Sequence, residues 1–219
     1  MKAKPIFMSY TRSDVTNFVM LMVIGLAVIP LIVQTDYWYS SILIPWLCLS
    51  LAAIGQQIVM GYAGQLALGA AGFMAAGACA LFNLELRLPW VPFPINLMFS
   101  GLIAAAFGII FGLPSLRVRG IYLMVATLAS QFFIIWMIDK FGWFKNYDTS
   151  GIITAQDIVI GGKEFTTPLE MYIVVLVVTT VLTILAINMT RGSTGRNWMA
   201  VRDMDIAAES MGISLLKTK

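Results

Sequence analysis

Few residues in the apolar segments of this chain could do chemistry. The chain has 219 residues and no histidine, and its 14 basic and 11 acidic residues all lie outside the long apolar windows. A membrane enzyme needs a nucleophile, a metal site or an acid–base pair, and histidine is the commonest general base. The GGKE sequence at 161–164 lacks the spacing of a phosphate-binding loop. These absences argue against an enzyme and against a proton-coupled carrier, which generally needs buried ionisable groups.

The polar groups that remain inside the apolar windows are amides, hydroxyls and two thiols. Cys48 and Cys79 are interpreted as packing residues rather than as a disulfide. An unpaired polar group in hydrocarbon is costly, so each amide and hydroxyl should face protein or water. An interhelical hydrogen bond is the simpler interpretation for each of them, and contact with a solute is the alternative. As residues lining a translocation path we predict Gln57, Gln65, Gly69, Phe73, Thr127 and Gln131.

Helical spacing supports some of these predicted path-lining residues. Thr127 and Gln131 are one helical turn apart and share a face, as do Gln57 and Gly61. The third apolar window is also rich in Gly and Ala, which recur on one face every four residues. Such a face lets two helices approach closely in lipid, or it lines a path wide enough for a solute. Both interpretations stay open.

Membrane-spanning helices must position these residues. The chain is 59% hydrophobic and only 11% charged, with a mean hydropathy of +0.86, whereas a soluble domain is typically about 25% charged. A crossing needs about 20 apolar residues. The predicted fold is an all-α, polytopic integral membrane bundle over residues 15–189. Its six transmembrane helices are predicted at 15–33, 41–60, 66–84, 95–113, 120–138 and 171–189.

Charge in the connections predicts the orientation of the bundle. With the N-terminus inside, the inner segments carry ten basic and four acidic residues, and the outer segments carry four basic and seven acidic residues. Cytoplasmic connections are enriched in Lys and Arg, so both termini are predicted to be cytoplasmic. The basic segment 1–14 is interpreted as the cytoplasmic start of a retained first helix, because no small-residue cleavage site follows that helix.

Two polar segments are long, the outer connection 139–170 and the C-terminal segment 190–219. The outer connection contains a β-like run at 157–160, and it leaves a short hairpin and a membrane-surface helix both open. The C-terminal segment predicts one helix that begins near Arg196, is capped by Ser193 or Thr194, and ends at Gly212. The predicted helix carries Arg196 and Arg202 against Asp203, Asp205 and Glu209, which favours a protein partner over a lipid surface.

Three motifs resemble the M-type permease subunit of branched-chain amino acid ABC importers. GYAGQLALGAAGF at 61–73 is similar to the family's GYAGQLSLGHAAF, and LRVRGIY at 116–122 with ATLA at 126–129 is similar to LRLRGxY with TLA. The segment from 195 to 213 is similar to GRxxxAIRDNEIAAEALGI. The matches occur in order and span 61–219. Ala67 and Ala70 stand where the family usually has Ser and His, which leaves the solute open.

The resemblance implies that segment 190–219 carries a cytoplasmic coupling helix that docks into an ATPase. It implies ABC ATPase subunits, a second permease subunit and a periplasmic solute-binding protein as partners. ATP is then hydrolysed by those partners, and this chain binds no cofactor, metal or nucleic acid. The family also implies the inner membrane of a bacterium and further helices beyond Lys219. The coupling residues that the resemblance implies are Arg202, Asp203, Asp205, Ala207, Ala208, Glu209 and Gly212.

Several alternatives stay open at this point. Branched-chain amino acids are the solutes that the resemblance implies, and urea, short amides or other amino acids are alternatives within the family. A sodium-coupled carrier can use backbone carbonyls in place of buried charges, so that class survives. A channel and a structural membrane subunit survive as well, and in each of these the inner helix needs no ATPase.

Overall fold

The computed structural model describes residue 25 and residues 35–115, 121–147, 158–160 and 163–212. The predicted first helix at 15–33, apart from Gly25, lies outside these residues, as does the N-terminal segment 1–14. The chain divides into two compact units. Unit 1 consists of Met1–Gly64 and Thr167–Lys219, and unit 2 consists of Gln65–Thr166.

Helices account for most of the described residues. The longer ones are α1 (Asp36–Tyr62), α2 (Ala70–Arg87), α3 (Phe93–Ser115), α4 (Ile121–Lys140) and α5 (Pro168–Arg191). The short helices α6 (Ser193–Asp203) and α7 (Asp205–Ser210) follow α5. A 3₁₀ turn (Gly142–Lys145) follows α4, and the strands β1 (Ile158–Ile160) and β2 (Lys163–Phe165) precede α5.

Four helices in the described part of the chain are long and apolar enough to cross a membrane. They are Asp36–Tyr62, Phe93–Gly112, Tyr122–Lys140 and Pro168–Arg191. They overlap the second, fourth, fifth and sixth predicted windows, which agrees with an all-α membrane bundle. The number of six crossings and the orientation with both termini inside stay predictions.

The boundaries predicted for the third helix are wrong. The window 66–84 becomes the helix Ala70–Arg87, and residues 65–69 are not helical. Gly64 turns the chain with a φ of +66°, a conformation that glycine adopts without steric cost. The amide of Leu68 then donates to the side chain of Thr127 at 3.0 Å. Because this amide bonds to another helix, the segment before Ala70 stays outside α2.

In unit 1, α1 packs against α5 around two tyrosines. Tyr39, Leu47, Tyr172 and Leu176 form the buried cluster, and the rings of the two tyrosines lie 5.5 Å apart between centroids. Tyr172 is only 1% exposed, and its hydroxyl donates to the carbonyl oxygen of Gly25 at 3.1 Å. A buried phenol that finds an acceptor avoids the cost of an unsatisfied polar group.

The C-terminal segment forms two helices rather than the single predicted helix. α6 begins at Ser193 directly after Gly192, and neither Ser193 nor Thr194 caps it through a side chain. Met204 interrupts the helix with an extended backbone (φ −151°, ψ 94°). No Gly or Pro marks this break in the sequence. The end at Gly212 is as predicted, since this glycine has a φ of +84°.

In unit 2, α2 packs against α3 and α4. The buried cluster consists of Ala76, Cys79, Ile134 and Ile138, and phenylalanines of the neighbouring turns cover it. Within the connection 139–170, β1 and β2 form an antiparallel hairpin, one of the two alternatives left open, with Ile158 opposite Phe165 and Ile160 opposite Lys163. Both cysteines are free thiols. Cys79 is buried, as predicted for a packing residue, whereas Cys48 is exposed, contrary to that prediction.

Replacing Gly195 should destabilise the corner between α5 and α6. A Cβ at this buried position would overlap the carbonyl oxygen of Thr190, a backbone atom that no rotamer change can move. Gly195→Ala is expected to cost roughly 1–3 kcal/mol, as overpacking usually does, and to lower the melting temperature of the detergent-purified protein. Gly55→Ala is the control, because no atom from outside its own helical turn lies within 4 Å of a Cβ there among the described residues. Equal melting temperatures for the two variants would contradict this packing.

Candidate functional site

The first of two sites that the motifs form lies in unit 1, where Arg202 at the end of α6 contacts the C-terminal end of α1. Its Nη1 donates to the carbonyl oxygen of Gly61 at 2.5 Å, and its Nε donates to Asp203 at 2.9 Å. Arg202 and Gly61 are 141 residues apart in the chain. Residues from the first and the third motif are therefore in direct contact.

Gly64 is required next to this contact for two reasons. Its φ of +66° disfavours any side chain, and a Cβ there would overlap Cγ of Arg202. The arginine stem lies against the bare backbone of this glycine. Sequence reasoning did not single out Gly64 as a partner of Arg202, although the GYAG pattern, with a glycine just after a helix, is a signal for such a turn.

A cleft of about 360 Å³ lies beside this contact, between α1 and α5. Gln57 is one of its lining residues, and its side chain lies over Gly61, as the one-turn spacing predicts: a Cβ on Gly61 would be 3.0 Å from Cδ of Gln57. Thr190 of α5 lines the opposite side. Gln57 is therefore exposed to a cleft, and its role in a translocation path stays a prediction.

The second site lies in unit 2, where α2 approaches the backbone of α4. A Cβ on Gly69 would be 2.8 Å from the carbonyl oxygen of Thr127, and one on Gly72 would be 2.8 Å from Cα of Gln131. Phe73 lies beside Gly69, with a ring carbon 3.4 Å from the same Cβ position. Four of the residues predicted to line a path therefore meet along one seam between two helices: Gly69, Phe73, Thr127 and Gln131.

The hydroxyl of Thr127 both donates and accepts a hydrogen bond in this seam. It accepts from the amide of Leu68 at 3.0 Å and donates to the carbonyl oxygen of Met124 at 2.9 Å. The contact between α2 and α4 is thus close packing, and a hydrogen bond joins α4 to the non-helical segment before α2. Gln65 lies half-buried at the start of unit 2, before this seam.

The residues implied in coupling have unequal exposure. Ala208 is fully buried at 0% exposure, whereas Arg202, Asp203, Glu209 and Gly212 are exposed. The backbones of Asp205 and Ala207 belong to α7. Val201, for which the sequence predicts an apolar contact, is buried as well, at 2% exposure. Two exposed methionines flank α7, since Met204 and Met211 are each 70% exposed.

Removing the hydroxyl of Thr127 should loosen the seam. Thr127→Val keeps the shape but leaves the amide of Leu68 without its acceptor, at a cost of roughly 1–3 kcal/mol. Thermal unfolding in detergent measures this loss. Thr127→Ser retains the hydroxyl and should melt close to the parent protein. The hydrogen bond has no role in stability if the Val and Ser variants melt together.

Comparison with known proteins completes this description. The profile of the family described as "Branched-chain amino acid transport system / permease component" matches residues 38–219. Neither the curated proteins nor the solved structures yield a significant match. The matched residues include α1 to α7 and both sites. The chain therefore belongs to the family of permease components of branched-chain amino acid transport systems.

Proposed function

We propose that this chain is the permease subunit of an ATP-driven importer of branched-chain amino acids in the inner membrane of a bacterium. It forms part of the translocation path together with a second permease subunit. A periplasmic protein delivers the solute, and separate ABC ATPase subunits drive transport. Family membership supports this proposal, as do the four helices, within the described residues, that are apolar enough to cross a membrane.

The observation that carries the proposal is the bond between Arg202 and Gly61. A coupling segment needs a fixed connection to a transmembrane helix, because a loosely attached segment would move without moving the path. The Arg202 guanidinium donates to the α1 carbonyl at 2.5 Å, and its stem lies against Gly64. In our proposal, ATP binding closes the ATPase pair and displaces α6 and α7. The bond then carries the displacement to α1, as alternating access requires.

The exposed side of α6 and α7 fits a protein partner. Met204 and Met211 present flexible apolar side chains that adapt to a groove, and Asp203 and Glu209 are exposed beside them. A helix that binds anionic lipid would instead be rich in Lys and Arg on its polar side. The buried side chains of Val201 and Ala208 hold the helices to unit 1. An ATPase groove is thus the favoured partner of the exposed side.

Arg202→Gln should reduce uptake without lowering the amount of protein in the membrane. The glutamine still has donors, but it lacks the charge and the reach of the guanidinium. A charge-assisted hydrogen bond contributes roughly 1.5–3 kcal/mol, so the initial rate of ATP-dependent leucine uptake is expected to fall by at least about tenfold.

Arg196→Gln is the matched control for this variant. Arg196 lies on the same helix. Among the residues that the structure describes, its guanidinium donates only to the carbonyl oxygen of Arg191, at 3.3 Å. Its replacement should leave uptake within about twofold of the parent rate. Equal losses in both variants would show that positive charge on α6, rather than the contact with Gly61, matters for transport.

Gly212→Arg should uncouple ATP hydrolysis from uptake. A Cβ at Gly212 meets no atom of the described residues within 4 Å, so the variant should still reach the membrane. The φ of +84° disfavours arginine by roughly 1–2 kcal/mol, and the bulky cation projects where an ATPase docks. Gly212→Asn is the control, because asparagine tolerates this backbone conformation. Normal uptake by the arginine variant would count against docking at this point.

Reconstitution separates the proposal from the other classes. The full-length protein, purified from its native membrane in mild detergent, should bring an ATPase with a phosphate loop. Vesicles containing that assembly should take up leucine, isoleucine or valine only when ATP is present on the side of the membrane that carries the ATPase subunits. Uptake that needs only a sodium gradient, or none, would replace this proposal with a carrier or a channel. Competition by urea or acetamide, but not by leucine, would reassign the solute within the family.

A further inference from the structure

A cavity of about 390 Å³ in unit 2 is not part of either site described above. It lies between α2, α3 and the 3₁₀ turn Gly142–Lys145, and its wall is almost entirely apolar. Ala80, Leu84, Leu88, Ile103 and Phe144 supply this wall. Pockets that hold small ligands range from about 300 to 1,000 Å³, so this cavity is large enough for one.

The position of the cavity along the helices corresponds to a membrane interface. Aromatic and charged side chains are concentrated at this end of α2, α3 and α4, whereas the segments of these helices that lead away from it are apolar. Trp and Tyr prefer the depth of lipid headgroups, and Lys and Arg reach the same depth. The residues at this end are Glu85, Arg87, Trp90, Asp139, Lys140, Trp143 and Lys145.

Arg87 holds a positive charge at the mouth of the cavity. Its guanidinium lies 3.6 Å from the centroid of the Trp143 ring, and Nη2 donates to the carbonyl oxygen of Trp143 at 3.2 Å. No carboxylate among the side chains that the structure describes forms an ion pair with it, whereas Lys145 pairs with Asp139. A guanidinium has five donors. Arg87 is therefore fixed in place with charge and donors available to an anion.

Asn83 fixes one side of the cavity through two hydrogen bonds. Its Nδ2 donates to the carbonyl oxygen of Cys79 at 2.8 Å and to that of Phe144 at 3.0 Å. These two bonds join α2 to the 3₁₀ turn, so that Phe144 and Trp143 stay over the apolar wall. The shape of the cavity is thus set by the fold rather than by a ligand.

We propose that this cavity holds one acyl chain of an anionic phospholipid, whose phosphate pairs with Arg87. A phospholipid places its phosphate at the interface and its chain toward the bilayer centre, which is the order in which Arg87 and the apolar wall occur. Apart from the Arg87 cation, this wall offers a polar solute one side chain, Asn83, whose Nδ2 is already bonded to Cys79 and Phe144 and whose Oδ1 is buried. The proposal is independent of the proposed function, because a transporter with an empty cavity would still transport.

Photo-crosslinking tests the proposal directly. The full-length protein, with its copurifying subunits, is reconstituted in nanodiscs that contain phosphatidylglycerol with a diazirine on one acyl chain. Crosslinks are expected on residues 79–88 or 142–145. Arg87→Gln should reduce their yield about fivefold or more, in line with the loss of a charge-assisted contact. Lys140→Gln, which removes a cation at the same end of the bundle but outside the cavity, should leave the yield unchanged.

A second variant tests the binding site for the acyl chain and leaves the charge of Arg87 unchanged. Ala80→Leu fills the cavity from within α2 and should abolish the crosslinks, whereas Ala78→Leu, at an exposed position of the same helix, should not. The proposal is overturned if Arg87→Gln and Lys140→Gln crosslink as well as the parent protein. It is also overturned if a phosphatidylcholine probe with the same chain is captured as efficiently as phosphatidylglycerol.

Discussion

Helices in a bilayer gain nothing by hiding apolar side chains from one another, because the lipid is as apolar as they are. Their attraction comes from close packing and from a few polar contacts, and both need backbones to come near each other. In unit 2, Gly69 and Gly72 let α2 lie against the backbone of α4. In unit 1, Gly195 lies against the carbonyl oxygen of Thr190. The hydrogen bond from Leu68 to Thr127 and the corner that leads into α6 both depend on the short distance between these backbones.

The three motifs that resemble the family are joined by two such contacts, one in each unit. The first motif is divided between them, since Gly61 and Gly64 meet Arg202 of the third motif, whereas Gly69 and Gly72 meet Thr127 of the second motif and Gln131 just after it. Most of these contacts involve main-chain atoms of a glycine or of its partner. Packing therefore requires glycine at positions 64, 69 and 72, and residues that carry the family resemblance make close contacts within each unit.

Composition and the length of apolar runs were sufficient to predict the membrane class and the approximate place of four helices. The same patterns misplaced the start of α2, because the amide of Leu68 bonds to a threonine 59 residues away and window hydropathy contains no such information. They also missed the break at Met204, whose residue type carries no signal for it. The one-turn spacing correctly placed Gln57 over Gly61. The contact between Arg202 and Gly61 could not be predicted from the sequence, since it depends on how α6 folds back on α1.

The place of Gly61 gives that contact a further meaning. The last four carbonyl oxygens of any helix lack amide partners within the helix, and the negative end of the helix dipole lies there. Arg202 satisfies one of these oxygens in the π-helical final turn of α1, Ile58–Tyr62, and so serves as a C-terminal cap supplied from a distant helix. Fraying of that turn and detachment of α6 thus become linked equilibria. Because linkage is reciprocal, a binder that lifts α6 loosens the end of α1, and a change that unwinds the end of α1 weakens the hold on α6 by the same free energy.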